Sequence, residues 1–107
     1  MTADIIATPP GMPRPRLDVH ALASRPYTVD LSRILRPGEM LAGDACAASR
    51  GLDLGAVGIK GPALLSVHIK PQDLPGARPH VDHDLTLSAR TTAGASVACT
   101  ITVRAHA

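Results

Sequence analysis

The sequence predicts an all-β protein, a small antiparallel sandwich, on three observations. Residues 83–104 read as two alternating strands about a glycine turn: Leu85, Leu87 and Ala89 alternate with Thr86, Ser88 and Arg90, then Val97, Cys99, Ile101 and Val103 with Ala98, Thr100, Thr102 and Arg104. Successive strand side chains point to opposite faces, so this pattern writes one packed and one wet face. Further short alternating runs recur along the chain with turn residues between them, the spacing of a sandwich. No amphipathic stretch of about 10 residues separates the strands, which excludes parallel doubly wound folds.

In chain order, residues 1–24 form an expected extended arm, because Pro9, Pro10, Pro13 and Pro15 remove donors and restrict their predecessors. Within it Leu17 to Leu22 alternates briefly and fits a short edge strand. The arm is expected to add little to the core and to dock on a neighbouring subunit. Arg14 and Arg16 would pair with acidic groups there, and Ile5, Ile6 and Met12 would fill its grooves. The plainer alternative is a loose terminus.

The sandwich domain is expected over residues 25–107. Tyr27, Val29 and Leu31 share one strand face, Ser32 to Leu35 makes a helical turn, and Arg36-Pro37-Gly38 closes it. Glu39 to Ala48 is a second strand, with low intrinsic β propensity because it is rich in alanine. Ser49-Arg50-Gly51 turns into a third, Leu52-Asp53-Leu54, and Gly55, Gly58 and Gly61-Pro62 punctuate the next stretch. Leu65, Val67 and Ile69 alternate with Ser66, His68 and Lys70 in a fourth. Pro71 to Pro79 is a proline-bounded loop, and the hairpin ends the chain, with Gly94 free to take the positive φ of its turn. The expected core is Tyr27, Val29, Leu31, Leu41, Leu52, Leu54, Leu65, Val67, Ile69, Leu85, Leu87, Val97, Cys99, Ile101 and Val103.

Composition narrows the function classes. The chain has 107 residues, the size of one domain, with no Trp, no Phe and a single Tyr. Without the largest apolar side chains its core is thin, which favours stabilisation by neighbours in an assembly. The net charge is +2, with no dense basic run and no aromatic ladder for stacking bases, so nucleic acid is not an expected partner. No apolar run approaches the roughly 20 residues needed to cross a bilayer, and no basic segment followed by an apolar core marks an export signal. Cys46 and Cys99 are the only cysteines. They fit either an inter-sheet disulfide or two small apolar groups in a reducing cytoplasm; the expectation is free thiols in or near the core.

His80-Val81-Asp82-His83-Asp84 is the one polar cluster with metal-ligand chemistry, but strand alternation puts His83 opposite His80, Asp82 and Asp84. His68 lies on a polar strand face, as an exposed or interface residue. Ser66 and Ser88 sit mid-strand without the flanking glycines of a nucleophile elbow. The expectation is therefore no catalytic residue, no metal and no cofactor.

Four segments carry a resemblance. Tyr27-Thr28-Val29-Asp30-Leu31-Ser32, followed by Gly38-Glu39-Met40-Leu41-Ala42, is similar to a Y-T-V-D-W-S … D-G-D-T-I-A-S opening. Ser49 to Leu54 approximates a P-A-G-L-T-V strand. Arg90 to Ala95 with Thr100 to Arg104 resembles a T-T-S-A-G-R … T-I-T-V-R-V hairpin. This series, in this order over residues 26–104, resembles the fibre–tail adaptor family of tailed bacteriophages, with Leu31 standing where the family carries Trp. The resemblance implies an immunoglobulin-like sandwich and a non-enzymatic virion component, joining tail or neck to fibres and present in symmetric copies. Its partners would be other virion proteins and copies of itself, assembled in the host cytoplasm. The alternatives are a capsid decoration protein and, from another class, a secreted ligand-binding module. The lack of aromatics to face sugar rings opposes the last.

Overall fold

The computed structural model describes residues 3–71 and 79–107. Its strands are β1 (Ile5–Ile6), β2 (Arg16–His20), β3 (Arg25–Asp30), β4 (Leu41–Ala48), β5 (Leu54–Ile59), β6 (Leu64–Ile69), β7 (His80–Thr91) and β8 (Ser96–His106). They form two four-stranded sheets, ordered β1-β3-β6-β5 and β2-β8-β7-β4. No helix occurs among the described residues. Residues 72–78 of the expected proline-bounded loop lie outside the description.

The terminal hairpin is the longest ladder, antiparallel from His80↔His106 to Arg90↔Ser96. Its turn closes where glycine is needed: Gly94 donates its amide to the Thr91 carbonyl at 3.0 Å, at φ +79°, a conformation that costs a residue with a Cβ. Alternation puts Leu85, Leu87, Ile101 and Val103 on the inner side, opposite Val29, Leu65 and Val67 of the other sheet, and all of these are 0% exposed. One hydrophobic cluster thus joins the two sheets in a sandwich-like arrangement. Each such side chain contributes roughly 1.5–3 kcal/mol on burial. Leu54 and Val97 are half-buried against the same cluster.

The first 24 residues depart from expectation. β1 runs parallel to β3 (Ile5↔Val29), and β2 runs parallel to β8 (Leu17↔Val103, Val19↔Ala105). Within the segment β2 is the edge strand that its alternation indicated, and a turn closes between Pro9 and Met12, whose amide donates to the Pro9 carbonyl at 3.2 Å. Yet Ile5, Ala7, Leu17, Val19 and Ala21 are buried in the common cluster, so the expectation of little contribution to the core is corrected. Residues 8–15 carry the chain from the edge of one sheet to the edge of the other, where proline costs no ladder hydrogen bond. The two parallel pairs also qualify the antiparallel expectation. They join strands distant in sequence, as parallel pairing requires.

The β4–β5 region differs as well. β4 and β5 are edge strands of opposite sheets, so the chain must cross the sandwich between them. Leu52 is buried within that crossing, and the strand begins only at Leu54. Gly55 and Gly58 consequently lie inside β5, which has a register shift between Leu54 and Val57.

β4 has two register shifts, and Asp44 sits at φ +53°. Ala45 and Ala47 pack inward while Cys46 points out. Cys99 is buried and Cys46 exposed, both as free thiols, which corrects the placement of Cys46 near the core.

Candidate functional site

The polar concentration of the molecule is the outer face of the sheet β2-β8-β7-β4. The two registers that flank β8 place Arg16, Thr102 and Asp84 in one row, Asp18, Arg104 and Asp82 in the next, and His20, His106 and His80 in a third. These rows exist because β2 joins the hairpin in register.

Ion pairs tie the rows together. Arg104 grips Asp82 with two hydrogen bonds, Nε to Oδ1 at 2.7 Å and Nη2 to Oδ2 at 3.0 Å, the bidentate geometry that favours arginine over lysine. Asp18 Oδ1 lies 2.8 Å from His106 Nε2 and 3.3 Å from Arg16 Nε. Arg14 Nη1 donates to Asp84 Oδ1 at 3.0 Å. The His80 and His106 rings lie 5.8 Å apart, tilted by 51°. The Thr86 and Thr100 hydroxyls meet at 3.2 Å. Arg14 and Arg16, expected to reach a partner's acidic groups, thus pair within the chain.

This face holds its charges. The hydrogen bond from His106 lowers the pKa of Asp18 below the usual carboxylate value, with Arg16 helping. The Arg104 guanidinium does the same for Asp82 and is itself raised in return. Depressed carboxylates are poor proton donors at neutral pH, the reverse of what a general acid requires. Burial pushes the Cys99 thiol up to about 11, away from the thiolate a nucleophile needs.

His80, Asp82 and Asp84 lie exposed on this outer face, whereas His83 points to the other side of β7 and is half-buried. Among the described residues, no group of three His, Cys, Asp or Glu side chains is arranged to hold a metal ion. The chain matches no family model and no curated protein.

Two clefts border the face. The larger, about 600 Å³, lies between the β4–β5 crossing (Ser49, Arg50, Gly51) and Asp82, His83, Asp84 and Thr86. Gly51 packs so closely on the His83 imidazole that a Cβ there would overlap the ring. The Ser49 hydroxyl is buried in this region without a hydrogen-bond partner. The smaller cleft, about 310 Å³, separates the loop around Pro9 to Met12 from Ala98, Cys99 and Thr100 of β8.

On the opposite sheet His68 is no free surface residue. Its Nε2 lies 2.8 Å from Ser24 Oγ, and Gly55 packs on its ring. Arg25 covers the Tyr27 ring at 4.5 Å and reaches Asp4 at 3.3 Å. Sequence reading missed the His20–His106–His80 row, the Asp18 carboxylate that bonds His106 from the next row, and the Ser49–Gly51 wall. The row depends on a β2–β8 register spanning most of the chain, for which no local signal exists.

Proposed function

We propose that this chain is an immunoglobulin-like, non-enzymatic structural protein of a tailed-phage virion, an adaptor between tail or neck and fibres. The observation that carries the reading is where the four resembling segments fall. Tyr27 to Ser32 covers most of β3 and its exit, and Gly38 to Ala42 opens β4. Ser49 to Leu54 crosses to β5, while Arg90 to Ala95 and Thr100 to Arg104 are the β7–β8 turn and the body of β8. Each thus sits at an element boundary or ladder of one sandwich, in the family's order.

Strand order supports the immunoglobulin-like part. In such sandwiches strands A, B, E and D share one sheet and C, F and G the other. With β1 as A, β3 to β8 as B to G, and β2 as a second half of A, the orders here are A-B-E-D and A′-G-F-C. The charge-paired face and depressed carboxylates support a docking role over acid–base chemistry. Exposed Met12, Leu22 and Met40 offer apolar contact points outside the core.

Mass spectrometry and cryo-electron microscopy of virions purified from a host carrying the gene test this reading. The expected result is the protein in stoichiometric amounts, with sandwich-sized density at the tail–fibre junction. Density on the head shell would favour the decoration alternative. Absence of the protein from purified particles would overturn both.

A further inference from the structure

The outer edges of the two sheets are protected unequally. β1 is only two residues long, β2 carries Arg16, Asp18 and His20, and β4 is interrupted by two register shifts. Short, charged or bulged edges resist pairing with other chains. β5 is less guarded: it has a single register shift, between Leu54 and Val57, but Leu54-Gly55-Ala56-Val57-Gly58-Ile59 contains no charge and no proline, and among the described residues β6 is its only ladder partner.

Asp53 and Lys60 bracket that strand, and the eight residues are complementary to their own reverse. Asp53 corresponds to Lys60, Leu54 to Ile59, Gly55 to Gly58 and Ala56 to Val57. We propose that β5 pairs antiparallel with β5 of a second copy, about a two-fold axis midway between Ala56 and Val57. The two sheets then become one continuous sheet across the dimer.

Three features carry this beyond a bare edge. The first is charge: the axis sets each Asp53 against the other copy's Lys60, and both residues are exposed. Opposite charges facing each other across antiparallel strands stabilise the pair, and like charges oppose it. The second is phase. Antiparallel pairing requires facing residues with the same hydrogen-bonding orientation. In a regular strand residues 54 and 59 would differ. The register shift in β5 removes that conflict for residues 54 and 59, because Leu54, Val57 and Ile59 lie opposite Ile69, Val67 and Leu65, alternate residues of β6. The third is the Gly55–Gly58 pairing, which leaves no side chain on either strand at those positions to hold the backbones apart. An isologous contact of this kind closes at two subunits and does not propagate. The pairing does not depend on the virion reading.

Sedimentation of the full chain over a concentration series tests the dimer. The expected result is a reversible dimer, weakened about tenfold or more by Lys60→Glu, which sets Glu against Asp53 twice, and restored by combining Lys60→Glu with Asp53→Lys. Circular dichroism on each variant checks that the fold is retained. A register test avoids charge altogether. In a Cys46→Ser background, Leu54→Cys chains and Ile59→Cys chains are oxidised separately and as a mixture. Directly opposed residues approach within about 5.5 Å, inside disulfide range, whereas two copies of position 54 stand roughly 17 Å apart. Only the mixture should cross-link. A monomer at all concentrations, a dimer unaffected by Lys60→Glu, or cross-linking of either chain alone would overturn the proposal.

Discussion

At the scale of single residues, neighbours set the chemistry. Cys46 and Cys99 share a side chain and differ in everything else. Cys46 lies on the outer face beside Ser88, its register partner. Cys99 is 8% exposed, with its thiol pushed up to about 11 by burial. A maleimide at neutral pH should therefore modify Cys46 rapidly and Cys99 only on unfolding, with mass spectrometry after partial labelling as the readout. Equal rates would contradict the burial. The same burial gives the alkaline effect its sign. The native thiol stays protonated while the unfolded one ionises from its ordinary value of 9.0, so stability falls between that pH and about 11. Cys99→Ala should flatten that limb of a denaturation–pH curve.

Gly51 gives a second residue-level prediction. A Cβ there overlaps the His83 ring, so Gly51→Ala should destabilise by about 1–3 kcal/mol, the usual cost of overpacking. His83→Ala in the same chain should recover most of that loss in urea titrations. Independent, additive effects of the two changes would show that they do not touch.

At the scale of elements, the N-terminal segment carries the main correction. Ile5, Leu17 and Val19 bury their side chains in the common cluster, at roughly 1.5–3 kcal/mol each. Their sum approaches the whole stability of a small domain, about 5–15 kcal/mol. Deleting residues 1–22 should therefore unfold or aggregate the protein. A soluble truncation with a cooperative transition near that of the full chain would restore the detachable-arm picture. Pro9, Pro10, Pro13 and Pro15 marked this region correctly as neither helix nor internal strand. They carried no information on which strands flank the proline run or in which sheet each would lie.

At the scale of the whole molecule, one polar face integrates charges from both ends of the chain. Asp18 pairs with His106 and Asp82 with Arg104. Both carboxylates are depressed below the ordinary 3.8. A carboxylate lowered in the native state contributes stability that is present above its unfolded value and is lost as pH falls through the native one. Urea midpoints should therefore hold from pH 7 to about 4 and decline below 3.8. Asp82→Asn should show a shallower decline over that acid window and little change in its pH dependence above it. An acid limb identical in the variant would assign the loss to other groups.

The sequence by itself determined the class and most of the inner face. Period-two alternation at Leu65, Val67 and Ile69 and at Leu85 to Val103 is local, because neighbouring side chains on a strand must diverge. The same alternation separates His83 from His80, Asp82 and Asp84 with no tertiary information. Only the tertiary structure decided which strands became neighbours. Leu17 faces Val103, and Asp18 sits beside Arg104, because β2 closes against β8 across nearly the full length of the chain. Pairing at such separation depends on the total burial and hydrogen bonding of the assembled sheets, and no window of local sequence contains that sum.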